Sequence, residues 1–223
     1  MKKKLLSLII FSFAFVSMAW SQMADTTKVK KDMSLQVMVG TQGIGVNFRY
    51  VLTPKIGLRF GGSYAQASAN DLLKIDGFKT TNKASGKFNT VQALAEFMPL
   101  KGIRLVGGVA YLASAEASIY LTPKDTQKFE DMTFTPAEIG SLDVTADWGT
   151  IAPYFGFGFG KGIPKKRFNV NFDLGAYYLS APSVTIVGTK RLSENDPNEA
   201  IIQENMKGYR FMPVAQLNFN FKF

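Results

Sequence analysis

The feature that most constrains this chain is a repeated alternation of period two between two chemically opposite faces. After residue 21, no apolar run is long enough to cross a bilayer as a helix. At the C-terminal end Phe211, Pro213, Ala215, Leu217, Phe219, Phe221 and Phe223 alternate with Met212, Val214, Gln216, Asn218, Asn220 and Lys222. A second segment sets Ile151, Pro153, Phe155, Phe157 and Phe159 against Ala152, Tyr154, Gly156, Gly158 and Gly160, and a third sets Phe168, Val170, Phe172, Leu174, Ala176 and Tyr178 against Asn169, Asn171, Asp173, Gly175 and Tyr177. The same phase runs through Ile56, Leu58, Phe60, Gly62 and Tyr64, and through Ile103, Leu105, Gly107, Val109 and Tyr111. Successive side chains of a strand point to opposite sides, so each segment has one greasy face and one face of small and amide residues. A soluble barrel would turn the greasy face inward and show water many Lys and Glu. Here Gly, Asn, Gln, Ser and Ala suit a crowded interior, and the Phe-rich face suits lipid.

Strand number follows from the turns. Thr53-Pro54-Lys55 and Pro99-Leu100-Lys101 mark short turns, each preceded by an alternating partner, Val46 to Leu52 and Val91 to Phe97. The connections at the other ends are long, roughly residues 69–87, 121–146 and 188–208. Counting back from a last strand that descends to the periplasm leaves one ascending strand missing. Leu35, Val37 and Val39 against Ser34, Gln36 and Met38 supply it, through Gly40-Thr41-Gln42-Gly43. The expected fold is therefore all-β: an eight-stranded antiparallel transmembrane β-barrel with short periplasmic turns, long extracellular loops and one short loop helix. That helix is expected over about 197–207. Asp196-Pro197-Asn198-Glu199 places a cap, a first-turn proline and a capping-box acid before Ala200, Ile201, Ile202 and Met206, and Gly208 stops it.

The N-terminal residues read differently. Lys2, Lys3 and Lys4 precede an apolar run from Leu5 to Trp20, and Ala19-Trp20-Ser21 offers small residues for cleavage. Residues 1–21 are a predicted signal peptide, 22–32 a polar tail and 33–223 the outer-membrane barrel.

Composition narrows the chemistry. The chain has 26 Lys and Arg against 17 Asp and Glu, no His and no Cys. It therefore has no imidazole base, no thiolate nucleophile and no ordinary zinc ligand set. Gly156, Gly158 and Gly160 resemble part of a dinucleotide fingerprint, but the spacing fails at Lys161 and no crossover helix follows; glycine on the inner face makes room for large neighbours instead. Lys165-Lys166-Arg167 sits in a predicted turn and reads as solvated rather than as a nucleic-acid contact. Residues 121–146 are net acidic and 69–87 net basic, but the acids lack the spacing of a calcium loop. No catalytic, cofactor-binding or metal-binding residue is predicted, and no cofactor.

Two groups carry the expected function. The phase puts Arg49, Arg59, Glu96, Arg104 and Asp173 inside, each near a predicted periplasmic turn, so they should share one layer. If Phe97 opposes Ile103, Glu96 opposes Arg104. Equivalent counting sets Arg49 opposite Arg59, a like-charge pair that needs Glu96 and Asp173 nearby. The second group is Phe219, Phe221 and Phe223, which give the final strand an outward apolar edge for the barrel assembly machinery.

Several runs carry a resemblance: Glu96-Phe97-Met98-Pro99, Arg104-Leu105-Val106-Gly107-Gly108-Val109-Ala110-Tyr111, Ile151-Ala152-Pro153-Tyr154-Phe155-Gly156-Phe157-Gly158, and Phe172-Asp173-Leu174-Gly175 with Ala181-Pro182-Ser183-Val184. From about Gly43 to Phe223 the chain resembles a family of small outer-membrane β-barrel proteins of Gram-negative bacteria, OmpX-like and OmpW-like at fold level. The resemblance implies fold and location and carries over no active residue. The expected function is a non-enzymatic barrel in the cell outer membrane with a side-chain-filled lumen, acting as a structural or surface-interaction protein. The alternative is a narrow conduit for small or hydrophobic solutes. Its expected partners are outer-membrane lipid and the assembly machinery, with no nucleic acid and no surface partner specified.

Overall fold

The computed structural model describes residues 32–71, 80–129, 132–194 and 196–223; the signal-peptide reading and most of the polar tail lie outside them. The strands are β1 (Met33–Gly40), β2 (Gly43–Thr53), β3 (Ile56–Asn70), β4 (Thr80–Leu100), β5 (Ile103–Pro123), β6 (Gln127–Phe129), β7 (Met132–Phe134), β8 (Leu142–Asp147), β9 (Ile151–Phe159), β10 (Phe168–Tyr178), β11 (Ser183–Gly188) and β12 (Phe211–Lys222). Ten of them form one antiparallel sheet in the order β11-β8-β5-β4-β3-β2-β1-β12-β10-β9, and β9 pairs back onto β5. Eight strands thus close into a ring, while β8 and β11 extend it from the upper part of β5. The first strand is where the alternation placed it, paired to β2 on one side and β12 on the other.

Burial in the ring is inverted. Phe60, Phe97, Val109, Phe155, Phe157, Leu174 and Leu217 are exposed, whereas Arg49, Arg59, Glu96, Arg104 and Asp173 are buried. The outward aromatics gather at two levels. Phe168 stacks near Phe221, with centroids 5.1 Å apart, and Tyr178 meets Phe211 at 5.1 Å. Phe168 and Tyr178 stand ten residues apart on β10. At about 3.3 Å per residue and a tilt of about 40°, they bracket an apolar band about 25 Å tall, the height of an outer-membrane barrel belt.

Three expectations are corrected. The connection placed at 69–87 is mostly strand, because β3 runs to Asn70 and β4 starts at Thr80. Beyond the apolar band both faces meet polar surroundings, so Ser, Ala, Asn and Lys can occupy either one and the alternation that marks a strand disappears. The region 121–146 likewise carries the end of β5, the β6–β7 hairpin and most of β8. There are also two α-helices among the described residues rather than one: α1 (Pro136–Ile139) and α2 (Asp196–Met206), the latter preceded by a 3-10 turn at Lys190–Glu194. The helix α1 uses the signature read at residues 196–199. Thr135 caps it, Pro136 opens it, and the Glu138 carboxylate accepts from the Thr135 backbone N–H and hydroxyl, each at 2.8 Å.

The third correction concerns register. Glu96 does not oppose Arg104: Leu100 pairs with Ile103 across a two-residue turn at Lys101–Gly102, with Gly102 at φ 89°, so Glu96 faces Val106 and Arg104 faces Gly158 of β9. Pro99 cannot donate to the ladder, and the pairing skips between Phe97 and Leu100. The slip amounts to two residues, so every side chain keeps its face. The pairing of Arg49 with Arg59 stands as expected.

Candidate functional site: the filled lumen

The inner face of the ring is built in layers. Lowest, at the short-turn end, the five predicted charges meet across strands far apart in sequence. Arg49 Nη2 lies 2.8 Å from Glu96 Oε1, Arg59 Nη1 lies 3.4 Å from the same oxygen and 2.6 Å from Asp173 Oδ2, and Arg104 pairs with Asp173 Oδ1. The result is an alternating chain Arg49–Glu96–Arg59–Asp173–Arg104, with each side chain at most 1 % exposed. It resolves the like-charge contact between Arg49 and Arg59, since the Glu96 carboxylate accepts from Arg49 and lies within ion-pair distance of Arg59. Placing three cations and two anions where water is scarce is tolerable only with such alternation and with further hydrogen bonds.

Those further bonds come from residues that the alternation did not single out. The segment between β9 and β10 tucks its backbone under the ring. The Gly162 carbonyl accepts from Arg49, and the Gly160 carbonyl accepts from Arg104 Nη1 at 2.8 Å. A Cβ at Gly162 would sit 3.3 Å from Arg104 Cδ and 3.4 Å from Glu96 Oε2, so a larger residue there would press on the charge cluster. Lys161, Lys165, Lys166 and Arg167 remain exposed, as expected of a solvated turn. Gly158 fulfils the steric reading: a Cβ there would lie 2.5 Å from Arg104 Nη2 and 2.7 Å from Asp173 Oδ1.

Around and above the charges lies a belt of amides. Asn220 Oδ1 accepts from Arg49 at 2.9 Å, Asn171 Oδ1 from Arg104 at 3.1 Å, and Gln216 Nε2 donates to Asp173 at 3.2 Å. Gln92 donates to Asn47 at 3.0 Å, Asn47 to Gln36 at 3.2 Å, and Asn218 to Asn171 at 2.8 Å. The third layer is apolar and aromatic, with Phe88, Leu94, Val106, Leu112, Leu179 and Val214 around Tyr154 and Tyr177. The Tyr177 ring lies 4.9 Å from Tyr154 and 5.4 Å from Phe88. Its hydroxyl reaches down to Gln42 and Gln92 at 2.6 and 2.7 Å, tying this layer to the amides. Gly156 and Gly175 make room for Tyr154, whose hydroxyl would be 2.9 and 2.5 Å from a Cβ at each.

Among solved structures, the chain is similar to CarO of Acinetobacter baumannii at 24% identity, over 85% of this chain and 97% of that one, with a TM-score of 0.58. A second structure from that organism, CarO2, matches at 22% identity over 88% of this chain and 100% of that one, with a TM-score of 0.60. Both neighbours are outer-membrane β-barrel proteins. The fold is that of an outer-membrane β-barrel. The exposed greasy belt gives the same location on physical grounds, because a surface of Phe, Leu and Val closed around buried charge is stable in lipid and not in water. No protein-family model matches the sequence, and no curated protein is similar to it.

The predicted C-terminal residues of the barrel lie where the alternation put them. β12 pairs with β1 and β10; Phe221 and Phe223 are exposed, and Phe219 is half-buried on the outer face. No signal in the sequence distinguished the inward amides or the Gly160 and Gly162 carbonyls from ordinary polar positions. Their role depends on which distant strand carries each arginine.

Proposed function

We propose that the eight-strand ring is the whole membrane-spanning barrel, that the short turns face the periplasm and that β8, β11 and the helices stand at the cell surface. Its lumen is closed by its own side chains. The protein acts as a non-enzymatic structural or surface-interaction barrel, a rigid wall holding surface segments in place. The observation that carries this reading is the alternating five-residue ion chain, buried and backed by amides and backbone carbonyls. An eight-stranded ring has room for side chains or for a pore, and here side chains of mixed sign take the space. The lack of His and Cys supports the non-enzymatic part. Planar-bilayer recording of refolded protein tests the plug. No steady conductance is expected; steady openings with a cation preference that shifts in Glu96→Gln would replace the plug by a conduit.

The same reading includes partners. Outer-membrane lipid covers the belt, and the barrel assembly machinery engages β12 through Phe219, Phe221 and Phe223. Because β12 closes the ring between β1 and β10, removing Asn218 to Phe223 leaves two open edges in lipid. This deletion is expected to abolish the heat-modifiable form on gels, and a normal folded band would refute the closure argument.

A further inference from the structure

Above the aromatic layer the lumen widens into a blind pocket of about 380 Å³, and the wall beside it is incomplete. β1 and β2 are joined by a two-residue turn, Thr41–Gln42, so pairing of β2 with β3 ends at Ile44 opposite Tyr64, and pairing of β1 with β12 ends at Gly40 opposite Gln216. β3 continues upward to Asn70 paired only with β4, and Phe211 to Val214 of β12 are paired only with β10. Among the described residues no strand fills the wall between these two edges. The gap is floored by Thr41, whose hydroxyl donates to the Pro213 carbonyl at 3.0 Å. Tyr64 and Phe211, members of the upper aromatic level, stand on its two sides. The notch therefore opens sideways at the height where the apolar belt meets the interface.

We propose that this pocket binds the chain of a single-chain fatty-acid-type amphiphile that enters through the notch between β3 and β12, an inference that rests on the outer-membrane reading. The walls are apolar: Ala65, Ala67, Phe88, Leu179 and Met212, with Trp148 alongside, its indole N–H donating to the Tyr209 carbonyl at 2.7 Å. At about 380 Å³ the space lies at the low end of ligand-sized pockets, which fits one chain rather than a two-chain lipid. Phe88, Tyr154 and Tyr177 close the floor, so an occupant cannot pass down the lumen and must leave as it came. The head group, left at the mouth of the notch, would meet Lys87, which is exposed on the outer face of β4 opposite Gln66 of β3; its partner Glu116 is 3.8 Å away and also partly exposed, so the ammonium can exchange one carboxylate for another at little cost.

The chain supplies its own probe. Its two tryptophans are Trp20 and Trp148, so the full chain carrying Trp20→Phe reports from the pocket alone. Refolded in detergent without bromine, it is titrated with a fatty acid brominated near the chain end. Saturable quenching of Trp148 is expected, with half-saturation raised at least tenfold in Ala67→Phe and unchanged in the outward neighbour Ser68→Phe. A second variant, Lys87→Gln, is expected to weaken the acid and not the corresponding brominated alcohol. Quenching that rises without saturation, or saturates identically in Ala67→Phe and Ser68→Phe, overturns the site. A chain that is heat-modifiable and detergent-requiring yet shows no saturable quenching overturns the site and leaves the barrel standing, whereas a chain that folds without detergent overturns the barrel reading as well.

Discussion

The two halves of the lumen are filled by the same ring of strands with opposite chemistry. The lower half is a lattice of directional bonds, in which Glu96 serves two arginines, Asp173 serves two, and backbone carbonyls and amides take further guanidinium donors of Arg49 and Arg104. The upper half is held by packing around Tyr154 and Tyr177, and above them space is left over. The difference teaches where such a barrel can carry function without losing its seal. Ionic filling is all-or-none, since each partner removed strands a charge, while apolar filling tolerates a void or a guest.

The sharpest way to break this contrast is Glu96→Ala. It leaves Arg49 with only the Gly162 carbonyl and Asn220 and leaves Arg59 to Asp173, and about 3–5 kcal/mol of destabilisation is expected, read as a lowered urea midpoint of the refolded barrel. Next comes Gly158→Val, which pushes a side chain into Arg104 and Asp173 where neither can yield; about 1–3 kcal/mol is expected in the same assay. The smallest effect is expected at the seam between the halves. Tyr177→Phe keeps the ring packing and removes the hydroxyl from Gln42 and Gln92, at a cost of about 1 kcal/mol. If Tyr177→Phe costs as much as Glu96→Ala, the upper half is bonded as rigidly as the lower and the contrast fails.

Much of the fold was legible because a membrane barrel imposes two environments on every strand. Leu217 and Gln216, or Phe157 and Gly158, differ in chemistry since one meets lipid and the other the lumen, and period two records that difference directly. The same logic explains the failure at residues 80–89, where strand continues above the belt and neither face is constrained to be greasy. It also explains why the inward charges were identified as a set while their partners were not. Which face a residue takes depends on its own strand. Its contacts depend on closure of the ring.

By itself the sequence determined that the chain would be a set of amphipathic strands with Phe outward and five charges inward near the short turns, because side-chain direction in a strand is a local property. Only the tertiary structure decided the rest: the skipped pairing at Pro99, the alternating order Arg49–Glu96–Arg59–Asp173–Arg104, the Gly162 carbonyl beneath it and the notch between β3 and β12. Each of these depends on register between strands and on closure of β9 against β5, which join residues as far apart as Arg59 and Asp173. No local pattern encodes such distances, since it is the ring, once shut, that determines which inward side chains share a level.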